Sequence, residues 1–111
     1  MFADELNELD IASNLDGDVA RVAIRGELDI NSAPRLIAAL HEVARPPVRR
    51  VDLDCEGVTF LDSTGLRALI VGRNEATRLG VDLELVDASP AVSRVVEMTG
   101  LAGLLTGARS S

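Results

Sequence analysis

Ser63 stands between Asp62 and Thr64-Gly65-Leu66, directly behind the apolar pair Phe60-Leu61. A hydroxyl in that company has two uses: it can cap a helix, or it can accept a phosphoryl group. Leu66, Leu69, Ile70 and Arg73 then recur at helical spacing, which puts Ser63 at the mouth of a helix. There the first backbone amides lack acceptors and the dipole is positive, so an added phosphate is tolerated locally. On the residues alone the commoner use is the cap, with Asp62 as the alternative cap. Thr64, one residue further in, is a second acceptor. Gly65 has two readings: a small residue that lets another molecule approach the helix mouth, or a tolerated weak point in the helix.

Other chemistries lack parts. Nucleophilic catalysis by serine needs a base within hydrogen-bond reach, and the one histidine, His41, falls deep in an earlier helix with nothing to orient it. Asp-Ser-Thr-Gly faintly resembles the catalytic turn of aspartic proteases, but strands flank that turn, whereas a helix follows here and the spacing is broken by a residue. Phosphoacceptance by aspartate asks for a lysine that the second half of the chain does not contain, and Arg109 is no substitute. Cys55 is the only cysteine, which rules out an internal disulfide and a cysteine-based zinc site. No glycine-rich phosphate loop is present. The residues point away from an enzyme and require no cofactor.

Composition narrows the partners. The chain has 111 residues, 47% hydrophobic and 26% charged, enough for one core and one domain. Only 2% are aromatic, so bases have no stacking platform, and a formal charge of −7 repels a phosphate backbone. A basic protein surface is the partner such a charge attracts. Met1-Phe2-Ala3-Asp4-Glu5 turns acidic at once, unlike a signal peptide, and no apolar run approaches the ~20 residues of a membrane span. The expectation is a cytoplasmic protein that binds neither nucleic acid nor membrane.

The elements that must hold Ser63 follow from periodicity. Residues 1–8 read as a loose acidic lead-in. Leu9, Ile11 and Ser13 alternate with Asp10 and Ala12 as a first strand; Asp16-Gly17-Asp18 marks a turn; Val22 and Ile24 alternate with Arg21 and Arg25 as a second strand. Asn31 or Ser32 caps a helix with Pro34 in its first turn and Leu36, Ile37, Leu40, Val43 and Ala44 as its buried stripe, stopped by Pro46-Pro47. Val48 to Cys55 is a strand with Val51, Leu53 and Cys55 on one face, and Glu56 to Asp62 a connection. A helix from Ser63 to Leu79 ends at Gly80, Val81 to Val86 is a strand, and Ser89-Pro90 opens a helix with Val92, Val95 and Val96 inward, closed by Gly100. Leu101, Leu104 and Leu105 finish the core, and residues 106–111 fray. The order β-β-α-β-α-β-α predicts an α/β domain: a mixed sheet with an N-terminal antiparallel hairpin, two right-handed β-α-β crossovers and three to four covering helices.

Asp62-Ser63-Thr64-Gly65-Leu66, behind Gly26-Glu27-Leu28-Asp29 and Ser32-Ala33-Pro34, resembles the STAS-domain anti-sigma factor antagonists of bacteria, from about Leu9 to Leu105. The resemblance implies that Ser63 is phosphorylated by the protein's own partner, an anti-sigma factor with serine-kinase activity, and that a serine phosphatase resets it. It implies that the unmodified form binds the kinase and frees a sigma factor. It places Asp29, Asp62, Ser63, Thr64, Gly65 and Leu66 in the docking region. The alternative is a STAS interaction or ligand-sensing module whose serine is never modified. On the residues alone Asp29 is a solvated turn acid.

Overall fold

The computed structural model describes residues 9–100. Strands β1 (Asp10–Asp16) and β2 (Val19–Leu28) form an antiparallel hairpin around Gly17, whose positive φ of 65° a turn of this kind requires. Helix α1 (Ala33–Val43) crosses to β3 (Arg50–Leu61), and α2 (Ser63–Arg78) crosses to β4 (Asp82–Ala88). β2, β3 and β4 run parallel in the order β1-β2-β3-β4. Both crossovers step the same way across the sheet, so right-handedness puts α1 and α2 on one face, where they pack together. Helix α3 (Pro90–Thr99) folds back onto β3 and β4. The mixed sheet, hairpin and crossovers are those expected, with three helices among the described residues.

The alternating strand pattern becomes one core. Ala20, Val22 and Ile24 of β2, Val51, Leu53 and Cys55 of β3, and Leu83 and Leu85 of β4 are buried together with Leu36, Leu40 and Ala44 of the first crossover and Leu66, Leu69 and Ala76 of the second. In α3 Val92 and Val96 are buried and Val95 is partly so. Ser89 caps that helix, accepting from the Val92 amide at 3.2 Å, and Gly100 ends it at a φ of 71°.

Three local expectations are corrected. Glu56 to Asp62 is not a connection: β3 continues to Leu61. Its pairing with β2 shifts between Ala23 and Arg25 and again between Gly26 and Glu27, so the two-residue alternation breaks while the ladder persists. Gly57 sits in the first shift, where a Cβ would lie 2.7 Å from Arg25 Cβ, and only glycine lets the strands approach so closely. β2 likewise extends beyond Arg25, to Leu28. Ser32 occupies the position before α1 without capping it; its hydroxyl donates to the Glu27 carbonyl at 2.7 Å and accepts from the Asp29 amide at 3.0 Å. The expected lead-in over 1–8, the closing leucines 101, 104 and 105 and the tail lie outside the described residues.

Candidate functional site

Leu28 of β2 pairs with Leu61 of β3, so two parallel strands end side by side and their next residues, Asp29 and Asp62, leave from the same edge. The Asp62 amide donates to the Leu28 carbonyl at 3.4 Å, tying the start of α2 to the end of β2. Asp62 is extended (φ −106°, ψ −174°), and its Oδ1 accepts from the Gly65 amide at 2.8 Å. Asp62 is therefore the N-cap, and Ser63 is the first helical residue. That corrects the reading of Ser63 as cap. The consequence is chemical: the Ser63 hydroxyl has no structural task, makes no hydrogen bond to a described residue, and is exposed. With the Gly65 amide held by Asp62, the amides of Ser63 and Thr64 remain without an acceptor inside the helix.

Gly65 is buried and faces inward. A Cβ there would run into the Leu28 carbonyl oxygen and come within 2.8 Å of Leu61 Cδ1. Its smallness lets α2 seat on the end of β2, which answers the two readings of this residue differently from either. Leu66, at 7% exposure, belongs to the core and offers a partner almost no side-chain surface. Thr64 is half-buried. Asp29 is more than a solvated acid: its Oδ1 accepts from the amides of Asn31 (2.9 Å) and Ser32 (3.1 Å), and its carbonyl accepts from Ala33 at 2.8 Å, which fixes the turn into α1. Of the expected docking residues the fold thus brings Asp29, Asp62, Ser63 and Thr64 to one surface edge and turns Gly65 and Leu66 inward.

Periodicity gave no sign of two neighbours. Ile30, in the Asp29 turn, and Phe60, opposite Glu27 in the β2–β3 register, are large apolar side chains at 66% and 47% exposure. Phe60 reads in sequence as a lead-in to a helix, and only the irregular strand shows which way it faces.

His41 lies in the last turn of α1, at the end of the sheet away from Ser63, and lines an apolar groove of about 570 Å³ between α1 and α2 with Glu75 and Leu79. Cys55 is fully buried in β3; burial first, and the nearby Asp54 charge second, push its thiol well above the ordinary value, which keeps it protonated. Among the described residues no three of His, Cys, Asp and Glu gather as metal ligands, and no helix is long and apolar enough to cross a membrane.

A family model described as "Mlab, STAS domain" matches residues 11–106. The anti-sigma-B factor antagonist of Staphylococcus aureus (strain NCTC 8325 / PS 47) is 31% identical over 98 residues, covering 87% of this chain and 90% of that protein. A solved anti-sigma factor antagonist from Mycobacterium paratuberculosis superposes with a TM-score of 0.77 at 26% identity, over 87% of this chain and 82% of that one. The Bacillus cell fate determinant SpoIIAA, solved in its phosphorylated form, shares the fold with a TM-score of 0.68 at 18% identity, over 87% of this chain and 89% of its own.

Proposed function

Because the chain belongs to the STAS-domain family, we propose that it is an anti-sigma factor antagonist switched by phosphorylation of Ser63. The carrying observation is the exposed Ser63 hydroxyl, bonded to no described residue, at the mouth of α2 just past the cap that Asp62 supplies. Likeness to the staphylococcal antagonist supports the role, and the phosphorylated SpoIIAA fold supports the compatibility of this architecture with a phosphate.

Unmodified, the protein binds an anti-sigma factor with serine-kinase activity and so frees the sigma factor that this partner holds. The docking edge is built from Asp29, Asp62, Ser63 and Thr64. The kinase transfers the γ-phosphoryl of ATP to the Ser63 oxygen, and the hydroxyl proton leaves to the kinase. A serine phosphatase reverses the mark. The chain is substrate and binding module, not an enzyme, and acts in the cytoplasm without cofactor, nucleic acid or membrane.

The energetics are local. In the free protein the phosphate meets water and two unsatisfied amides, so the fold need not change. At the interface, ~1.5 to 2 added negative charges must be desolvated against a surface fitted to a neutral hydroxyl. A mismatch of ~3 kcal/mol lowers affinity roughly a hundredfold.

A second reading, a STAS module that senses a small apolar ligand without being phosphorylated, draws on the groove between α1 and α2. Incubation with a cognate anti-sigma factor and ATP, followed by peptide mass spectrometry, separates the two. Phosphate on Ser63 with release of the partner is the expected result. A stable complex that never gains phosphate sinks the switch.

A further inference from the structure

We infer that Arg67 is the counter-cation of the Ser63 phosphate, closing an ion pair within the protein once the serine is modified. The inference rests on the phosphorylation reading above and adds to it how the modified state is held. Ser63 and Arg67 are four residues apart on α2 and both exposed, so they share the outward face one turn from each other. The spacing places the anionic member N-terminal to the cationic one, the better orientation for such pairs.

The Arg67 guanidinium, like those of the exposed Arg21, Arg25, Arg45 and Arg49, is not engaged elsewhere among the described residues, and of these residues Arg67 alone lies on the helix of Ser63. It makes no hydrogen bond or ion pair with a described residue, unlike Arg50, which pairs with Asp52 at 2.9 Å, and Arg78, which pairs with Glu75 at 2.9 Å. The acidic group at this helix mouth is the Asp62 cap, whose Oδ1 is already engaged by the Gly65 amide, and the first turn of α2 holds no further acidic residue to pair with Arg67. The unmodified protein thus carries a guanidinium without a described partner one turn from its acceptor hydroxyl, and a phosphate on Ser63 supplies that partner. Guanidinium is suited to phosphate through its planar fork of donors. Phosphorylation then does two things at the docking edge: it adds negative charge, and it withdraws Arg67 from any contact with a partner.

The carboxylates around the phosphate are Asp62 at the cap and Asp29 and Glu27 at the end of β2, all opposing its second ionisation; Arg67 is the cation on the same helix face that favours it. The test installs phosphoserine at position 63 during translation, so that no kinase is needed. The 31P resonance is then titrated with pH in the otherwise unchanged protein, in Arg67→Gln and in Arg67→Lys. The phosphate of the unchanged protein should ionise ~0.3 to 0.5 pH units lower than in Arg67→Gln, with Arg67→Lys recovering part of the shift. The difference should shrink at high salt. A shifted Arg67 Nε–H resonance on phosphorylation reports the pair with Arg67 itself unchanged. Identical titrations in the unchanged protein and Arg67→Gln, with an unmoved Nε–H resonance, overturn the pair even where a kinase does modify Ser63. Failure of a kinase to modify Ser63 strikes the proposed function instead and leaves the titration as it was.

Discussion

Asp62 and Ser63 are both favoured helix caps, and the fold gives the cap to Asp62. Asp62 accepts from the Gly65 amide, so the stability of the α2 mouth rests on the aspartate. Asp62→Ala should cost about 1 kcal/mol of unfolding free energy, whereas Ser63→Ala should stay within about 0.5 kcal/mol of the parent, both read by urea denaturation. The reverse ranking would return the cap to Ser63. In function the ranking inverts. Ser63→Ala should bind the kinase and resist release, Ser63→Asp should weaken binding in part, and Thr64→Ala should still take phosphate. Phosphate on Ser63→Ala but not on Thr64→Ala would move the site to Thr64. The place of Ser63 at a helix mouth was legible in sequence because its spacing to Leu66, Leu69 and Ile70 is local. The division of labour between Asp62 and Ser63 was not, since both residue types suit a cap.

At the scale of elements, what sequence hid was what depends on a neighbouring strand. The helices showed themselves by their stripes, and α3 even by Ser89 at its start and Gly100 at its end. The second half of β3 did not, because two register shifts against β2 destroy the alternation and leave Glu56 and Gly57 looking like a loop. Gly65 was ambiguous for a similar reason: the Leu28 carbonyl it accommodates lies far away along the chain. Two glycines of α2 make the point measurable. A Cβ at position 65 meets a backbone oxygen that the sheet holds in place, so Gly65→Ala should cost about 1–3 kcal/mol despite the better helix propensity of alanine, and should tilt the mouth of α2 that carries Ser63. A Cβ at position 72 meets the Leu40 side chain, most closely its end at Cδ1, which borders the open groove between α1 and α2. Leu40 can swing into that space, so Gly72→Ala should lie within about 1 kcal/mol of the parent. Equal losses in the two variants, by thermal or urea unfolding, would mean that backbone contact at Gly65 is not what seats the helix.

Across the whole molecule the proposed switch edge and the core are separate. Ser63 is exposed at the rim while the parallel strands beneath it are packed from Ala20 to Leu85, so a change at the rim has little reason to loosen the centre. Cys55, fully buried on the central strand β3, gives that centre a titratable reporter. Burial holds its thiol far above the ordinary value of 9.0, with the Asp54 charge adding to the effect, so the folded state keeps the proton that the unfolded chain gives up. The sign follows. With the folded pKa raised, the full stability contribution is present below the ordinary thiol value and is lost as pH climbs above it, at no more than about 1.4 kcal/mol per pH unit for one proton. Urea midpoints measured from pH 7 to 10.5 should therefore fall more steeply in the parent than in Cys55→Ala above pH 9. The alanine variant itself starts lower, because a cavity remains where the sulfur was. Phosphorylation of Ser63 should leave the steep limb unchanged, since burial and the Asp54 charge, not the rim, hold the Cys55 thiol up. Parallel curves for parent and Cys55→Ala would mean that the thiol ionises as easily folded as unfolded, and that the centre of the sheet admits water.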